Sequence, residues 1–70
     1  MYKPINNLKK IREKKGLTQE QLVKLTGIPQ RTISGLETRT NLRPDTICKY
    51  AEILEVHPSE IITYVYIKEK

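Results

Sequence analysis

A helical pattern that halts at Gly27 and starts again at Pro29 constrains this chain more than any other feature. The stretch reads LTQEQLVKLTGIPQRTISGLE, residues 17–37. Before the break, Thr18 with Gln21 three residues on makes a capping-box arrangement. The helix it opens has Leu22 and Leu25 as its inward stripe. After the break, Ile33 and Leu36 form the inward pair of a helix that begins near Pro29, where the first amides lack partners anyway. So short a connection cannot carry one helix away from the other, so the two must cross and pack through Leu22, Leu25, Ile28, Ile33 and Leu36. Gly27 supplies the tight or left-handed backbone that a side chain would resist. Gln30, Arg31 and Ser34 are then left facing outward, polar residues that no core needs.

The remaining chain organises around this pair. Ile5, Leu8, Ile11 and Arg12 recur at three- and four-residue steps and predict a first helix over about Ile5–Lys15, capped by Asn6 or Asn7 and stopped by Gly16. Pro44 opens a fourth helix with Ile47, Tyr50 or Ala51, and Leu54 on its apolar side. HPSEII repeats the device of a polar cap, a proline and an early glutamate, and predicts a short fifth helix. From Thr63 to Ile67 the residues are β-branched or aromatic, which suits a strand. MYKP is its expected partner, limited to its first residues because Pro4 has no amide hydrogen to give a ladder. The expected fold is an all-α five-helix bundle with a two-stranded sheet from the chain ends, strands about 1–3 and 64–67, in one domain spanning residues 1–70.

Composition narrows what such a domain does. Seventy residues with 37% apolar content and no Trp or Phe fill a small helical core and leave no room for a deep enzymatic cavity. The lone Cys48 rules out an internal disulfide framework and reads as a half-buried structural thiol on the fourth helix. The N-terminus is too polar for a signal peptide, and no apolar run approaches the roughly 20 residues of a membrane span. These features point to the cytoplasm and away from a membrane. Thirteen Lys and Arg against eight Asp and Glu give a net charge of +5, which favours a polyanionic partner, nucleic acid before membrane. Lys9, Lys10, Arg12, Lys14 and Lys15 would by themselves read as an ordinary solvated helix face. His57, the one histidine, precedes Pro58 and suits a helix cap, and Glu52, Glu55 and Glu60 lie on different faces. No glycine-rich phosphate loop or metal-ligand cluster appears, so neither an enzyme nor a cofactor, metal or small-molecule ligand is expected.

Two helices joined by a glycine-containing turn, inside a basic helical domain, read as a helix-turn-helix over about residues 18–38. The N-terminal half of its second helix enters the major groove of DNA, where Gln and Arg pair bidentately with adenine and guanine. A solvated surface helix in a bundle has the same spacing, and spacing alone leaves both readings open.

LKKIREKKGLTQEQLVKLTGIPQRTISGLE, followed by RPDTI and YAEILEV, resembles the lambda-repressor and Cro-like (XRE-type) family of helix-turn-helix transcriptional regulators over roughly residues 7–62. INNLKKIREKK and the chain length are also similar to small dimeric regulators of the cytolysin-repressor kind, which add a sheet made from both chain ends. The resemblance implies base contacts from Gln30, Arg31 and Ser34, with Gly35 the next exposed position, where the family usually carries a longer polar or basic residue. Thr18 and Gln19 match the helix start that meets the phosphate backbone, and Arg39, Thr40, Asn41 and Arg43 match the loop along the phosphates. Arg39 stands where the family commonly has glycine, so this helix end is expected to be built differently. Arg12 and Glu37 match a basic–acidic pair that sets the angle of the recognition helix. The implied function is a transcriptional regulator, a repressor, binding double-stranded DNA as a homodimer on a palindromic operator. Val56, Ile61, Ile62, Tyr64 and Tyr66 are the apolar residues left for the dimer contact. The alternative is a protein-interaction module, a toxin antidote or antirepressor partner, using the same helices; it would need exposed apolar anchors on the third helix.

Overall fold

The computed structural model describes residues 1–68. In chain order they form β1 (Tyr2–Asn6), α1 (Leu8–Lys14), α2 (Gln19–Thr26), α3 (Gln30–Thr38), α4 (Pro44–Leu54), a single 3-10 turn (Pro58–Glu60) and β2 (Ile62–Tyr66). This is four α-helices with a two-stranded antiparallel sheet, not a five-helix bundle. The expected fifth helix stops after one turn. His57 and Glu60 do cap its start, the His57 ring accepting from the Ser59 amide and the Glu60 carboxylate accepting from the His57 amide. The β-branched run then takes over at Ile62, before a second turn can form.

The sheet is correspondingly longer than the sequence suggests, and it displaces the start of the first helix from Ile5 to Leu8. Tyr2 pairs with Tyr66, Pro4 with Tyr64 and Asn6 with Ile62. Pro4 does not end the strand because of ladder parity. The Asn7 amide donates to the Ile61 carbonyl at 2.8 Å and the Ile67 amide to the Met1 carbonyl at 2.6 Å, so odd-numbered positions of β1 carry the exchanged hydrogen bonds. Pro4 falls on the alternate set, where an amide would face away from the partner strand and none is missed.

One core joins the helices to the base of the sheet: Leu8, Leu22, Ile33, Leu36, Tyr50, Ala51, Leu54, Ile61 and Ile62 are buried together. Tyr50 and Ala51 both face inward from α4. Burial, and after it the Glu37 carboxylate, pushes the Tyr50 hydroxyl up from the ordinary tyrosine range. Leu25 is a correction to the expected stripe on α2. It is 58% exposed, and the inward face is carried by Leu22 and Val23 with Gln19 and Thr26 beside them. Positions 19, 22, 23 and 26 make one helical stripe, and Leu25 lies off it. Beyond Asn6 and Ile62 the sheet leaves the core, and the molecule extends 45 Å along its long axis against 23 Å across.

Candidate nucleic-acid interface

The turn between α2 and α3 is fixed from both sides. Gly27 has φ +73°, a left-handed conformation that costs a side chain free energy, and its amide donates to the Val23 carbonyl at 2.7 Å. The Thr26 hydroxyl donates to the Leu22 carbonyl at 2.8 Å and accepts from the Ile28 amide at 3.1 Å. Pro29 leads straight into α3. The helix then turns Ile33, Leu36 and Glu37 inward and leaves Gln30, Arg31, Thr32 and Ser34 exposed on the opposite side.

Glu37 is the hub that holds this helix at its angle. Arg12 of α1 donates from Nε to Glu37 Oε2 at 2.6 Å and from Nη2 to Oε1 at 3.2 Å. Its third donor, Nη1, reaches the Leu17 carbonyl at 2.8 Å. Both side chains are buried, a geometry in which two planar groups with several satisfied donors offset their desolvation. The hydrogen bond to Glu37 raises the already high pKa of the guanidinium, against the opposing effect of burial. Gln19 at the head of α2 donates to Glu37 Oε1 at 3.1 Å, and its own Oε1 accepts from Gln30 at 3.3 Å. A chain of contacts therefore runs from Arg12 through Glu37 and Gln19 to the outward side chain of Gln30. The roles of Gln19 as buttress and of Asn6, which reaches the other end of α3, were not evident from spacing, because both act across elements distant in sequence.

A family profile described as helix-turn-helix matches residues 8–61, which take in all four α-helices and the turn between α2 and α3. The chain belongs to the lambda-repressor and Cro-like helix-turn-helix family. It is a DNA-binding regulator of that class. No curated protein matches the chain significantly.

In this helix-turn-helix regulator the expected phosphate contacts lie on one stretch of exposed loop and one helix start. Thr18 caps α2 by accepting from the Gln21 amide at 3.1 Å, while the Gln21 side chain accepts from the Thr18 amide at 2.8 Å. The hydroxyl oxygen accepts in this box, which leaves its O–H free to donate to an anion beside the amides of the first turn. Thr18, Gln19 and Gln30 line one open groove with Arg12 and Leu17. Arg39, Thr40, Asn41 and Arg43 are all exposed. Arg43 lies 3.6 Å from Asp45, a solvated pair too weak to hold it back from a phosphate. A Cβ built on Gly35 would meet nothing within 4 Å, so packing inside the helix-turn-helix does not require glycine there.

The residues expected at a dimer contact divide into two groups. Ile61 and Ile62 are buried in the regulator's own core, and Val56 is half-buried against it. Tyr64 and Tyr66 stand exposed on the sheet, where Tyr66 meets Tyr2 edge-to-face with ring centroids 5.2 Å apart.

Proposed function

We propose that this regulator is a repressor that binds a palindromic operator as a homodimer, reading bases with Gln30, Arg31 and Ser34. The observation that carries the reading is the outward half of α3. It presents polar side chains able to make paired hydrogen bonds with base edges, on a helix whose angle is fixed through the buried Arg12–Glu37 pair. Thr18 and Gln19 at the start of α2, with Arg39, Thr40, Asn41 and Arg43 in the loop after α3, fit the flanking phosphates. Gly35 leaves room for the DNA backbone or a base edge to come close. No large apolar side chain stands out on the exposed face of α3, which is what a protein-binding use of this helix would need.

One recognition helix covers only a few base pairs, so operator selectivity calls for a second copy with half-sites about 34 Å apart. Tyr2, Tyr64 and Tyr66 share one face of the sheet, each 64–69% exposed, and supply the apolar surface for it. An isolated two-stranded sheet is marginal in water, and a partner's sheet packed on it would remove that weakness.

Titrating salt in a gel-shift experiment tests the DNA reading. Affinity falls steeply between low and physiological salt as phosphate-bound counterions are released, with a slope that becomes shallower when Arg43 is replaced by Ala. Affinity that stays flat with salt would overturn it.

A further inference from the structure

Three of the four α-helices end on a left-handed residue, and the recognition helix is the one that does not. α1 closes at Gly16, where the Leu17 amide donates to the Arg12 carbonyl and the Gly16 amide to the Glu13 carbonyl, both at 3.0 Å. α4 closes the same way at Glu55, with the Val56 amide on the Ala51 carbonyl at 2.9 Å, and α2 closes at Gly27. After α3 the chain leaves through Arg39 in an extended conformation, φ −93° and ψ 151°. Among the described residues no amide from the segment after α3 returns to its last-turn carbonyls. An extended residue here sends the chain off before it can fold back on the helix end.

Asn6 takes over that role from the other end of the sequence. Its Nδ2 donates to the Leu36 carbonyl at 2.7 Å and also to the Arg39 carbonyl. In the closures of α1 and α4 the left-handed residue's own amide takes the carbonyl three residues back, as Gly16 does with Glu13, and for a left-handed residue at Arg39 that carbonyl would be Leu36. The same side chain accepts from the Leu8 amide at 2.9 Å, and its backbone pairs with Ile62 in the sheet. One half-buried residue thereby joins β1, the start of α1 and the end of α3.

We infer that Asn6 is a positioning residue for the recognition helix: it clasps the C-terminal end of α3 to the terminal sheet, so that the sheet, acting with the Arg12–Glu37 pair, sets the direction in which α3 is presented. The inference uses the operator-reading proposal only for its effect on DNA. A helix capped by its own following residues needs no such reference. Here the reference is the same sheet that carries the exposed tyrosines, so a partner docked on the sheet fixes the relative direction of two reading helices.

The test compares the full chain with Asn6→Asp and Asn6→Ser. Asp keeps the acceptor toward Leu8 but places carboxylate oxygens against two carbonyls, and Ser serves if Asp does not fold. Residual dipolar couplings of the free proteins report the orientation of α3 relative to the sheet. The expected result is that α3 and the sheet fit one rigid body in the parent and two in the variants. Adding Arg39→Gly to Asn6→Ser allows a left-handed cap and restores amide protection at the end of α3, but leaves its orientation uncoupled from the sheet. On an operator selected with the parent, a one-base-pair change of half-site spacing is resisted about tenfold by the parent, a difference of about 1.4 kcal/mol, and about twofold by the variants. The inference is overturned if the couplings of both variants still fit one body, or if Arg39→Gly restores the parent orientation, which would make Asn6 a helix cap only. A parent that shows no preference among DNA sequences, with couplings that change as expected, removes the operator reading and upholds the clasp.

Discussion

Gln30 and Arg31 differ in how they are held, and that difference predicts how their loss is felt. Gln30 is already oriented by Gln19, whereas Arg31 has no side-chain hydrogen bond among the described residues. Replacing either by Ala lowers affinity for the selected operator by about 1–3 kcal/mol and relaxes preference at one or two bases, with little change on random DNA. Equal losses on both DNAs would assign the two residues to the phosphates. Glu37 behaves differently. Glu37→Ala leaves the buried Arg12 charge without its partner and costs about 3–5 kcal/mol of stability by chemical denaturation. Replacing both, Arg12→Met with Glu37→Leu, costs far less stability, because apolar residues of similar volume do not need to be paired. Operator selectivity is still lost in the double variant, since Gln19 loses its anchor as well. Retained selectivity would show that the pair contributes stability alone.

At the scale of elements, the sequence carried most of the architecture wherever signals were local. The break at Gly27, the box at Thr18 and the turn at Pro44 each state their own geometry within three or four residues, and α2, α3 and α4 lie where those signals put them. Legibility failed where a long-range partner decided the outcome. Ile5 fits a helical stripe and a strand equally well, and only the register with Thr63 places it in β1. Leu25 is three residues from Leu22 and fits one possible stripe of α2, but the helix packs on the neighbouring stripe through Leu22, Val23 and Thr26. The residues proposed for DNA contact had a local helix-turn-helix pattern to point to them, whereas a cap reaching across the chain from Asn6 has none. One helix end carries avoidable strain: Glu55 closes α4 at φ 57°, and a left-handed conformation costs a side chain about 1–2 kcal/mol. Glu55→Gly relieves it, offset in part by the greater freedom of glycine in the unfolded chain, and raises the thermal midpoint. A midpoint that falls would mean that the Glu55 side chain contributes packing that outweighs the strain.

For the whole molecule, the helices and the sheet differ in how they are held. The core covers the base of the sheet at Ile61 and Ile62, while the outer ladder has exposed side chains on both faces. Outer-ladder amides are therefore expected to exchange with solvent faster than those of α2 to α4, and to slow as protein concentration is raised through the dimerisation range. Deleting residues 64–70 is expected to give a monomer by sedimentation; a truncated chain that still dimerises would remove the sheet from the proposed interface. The ladder also spans nearly the whole chain, since Met1 and Ile67, 66 positions apart, exchange hydrogen bonds at its outer end. Closing so long a loop yields nothing until its last strand exists, whereas the helices form through near neighbours. In refolding, the helices are therefore expected to form before the ladder closes. The self-association proposed for the sheet would then be the last event of folding, open only to a chain that is complete through Tyr66 and whose helices are already packed.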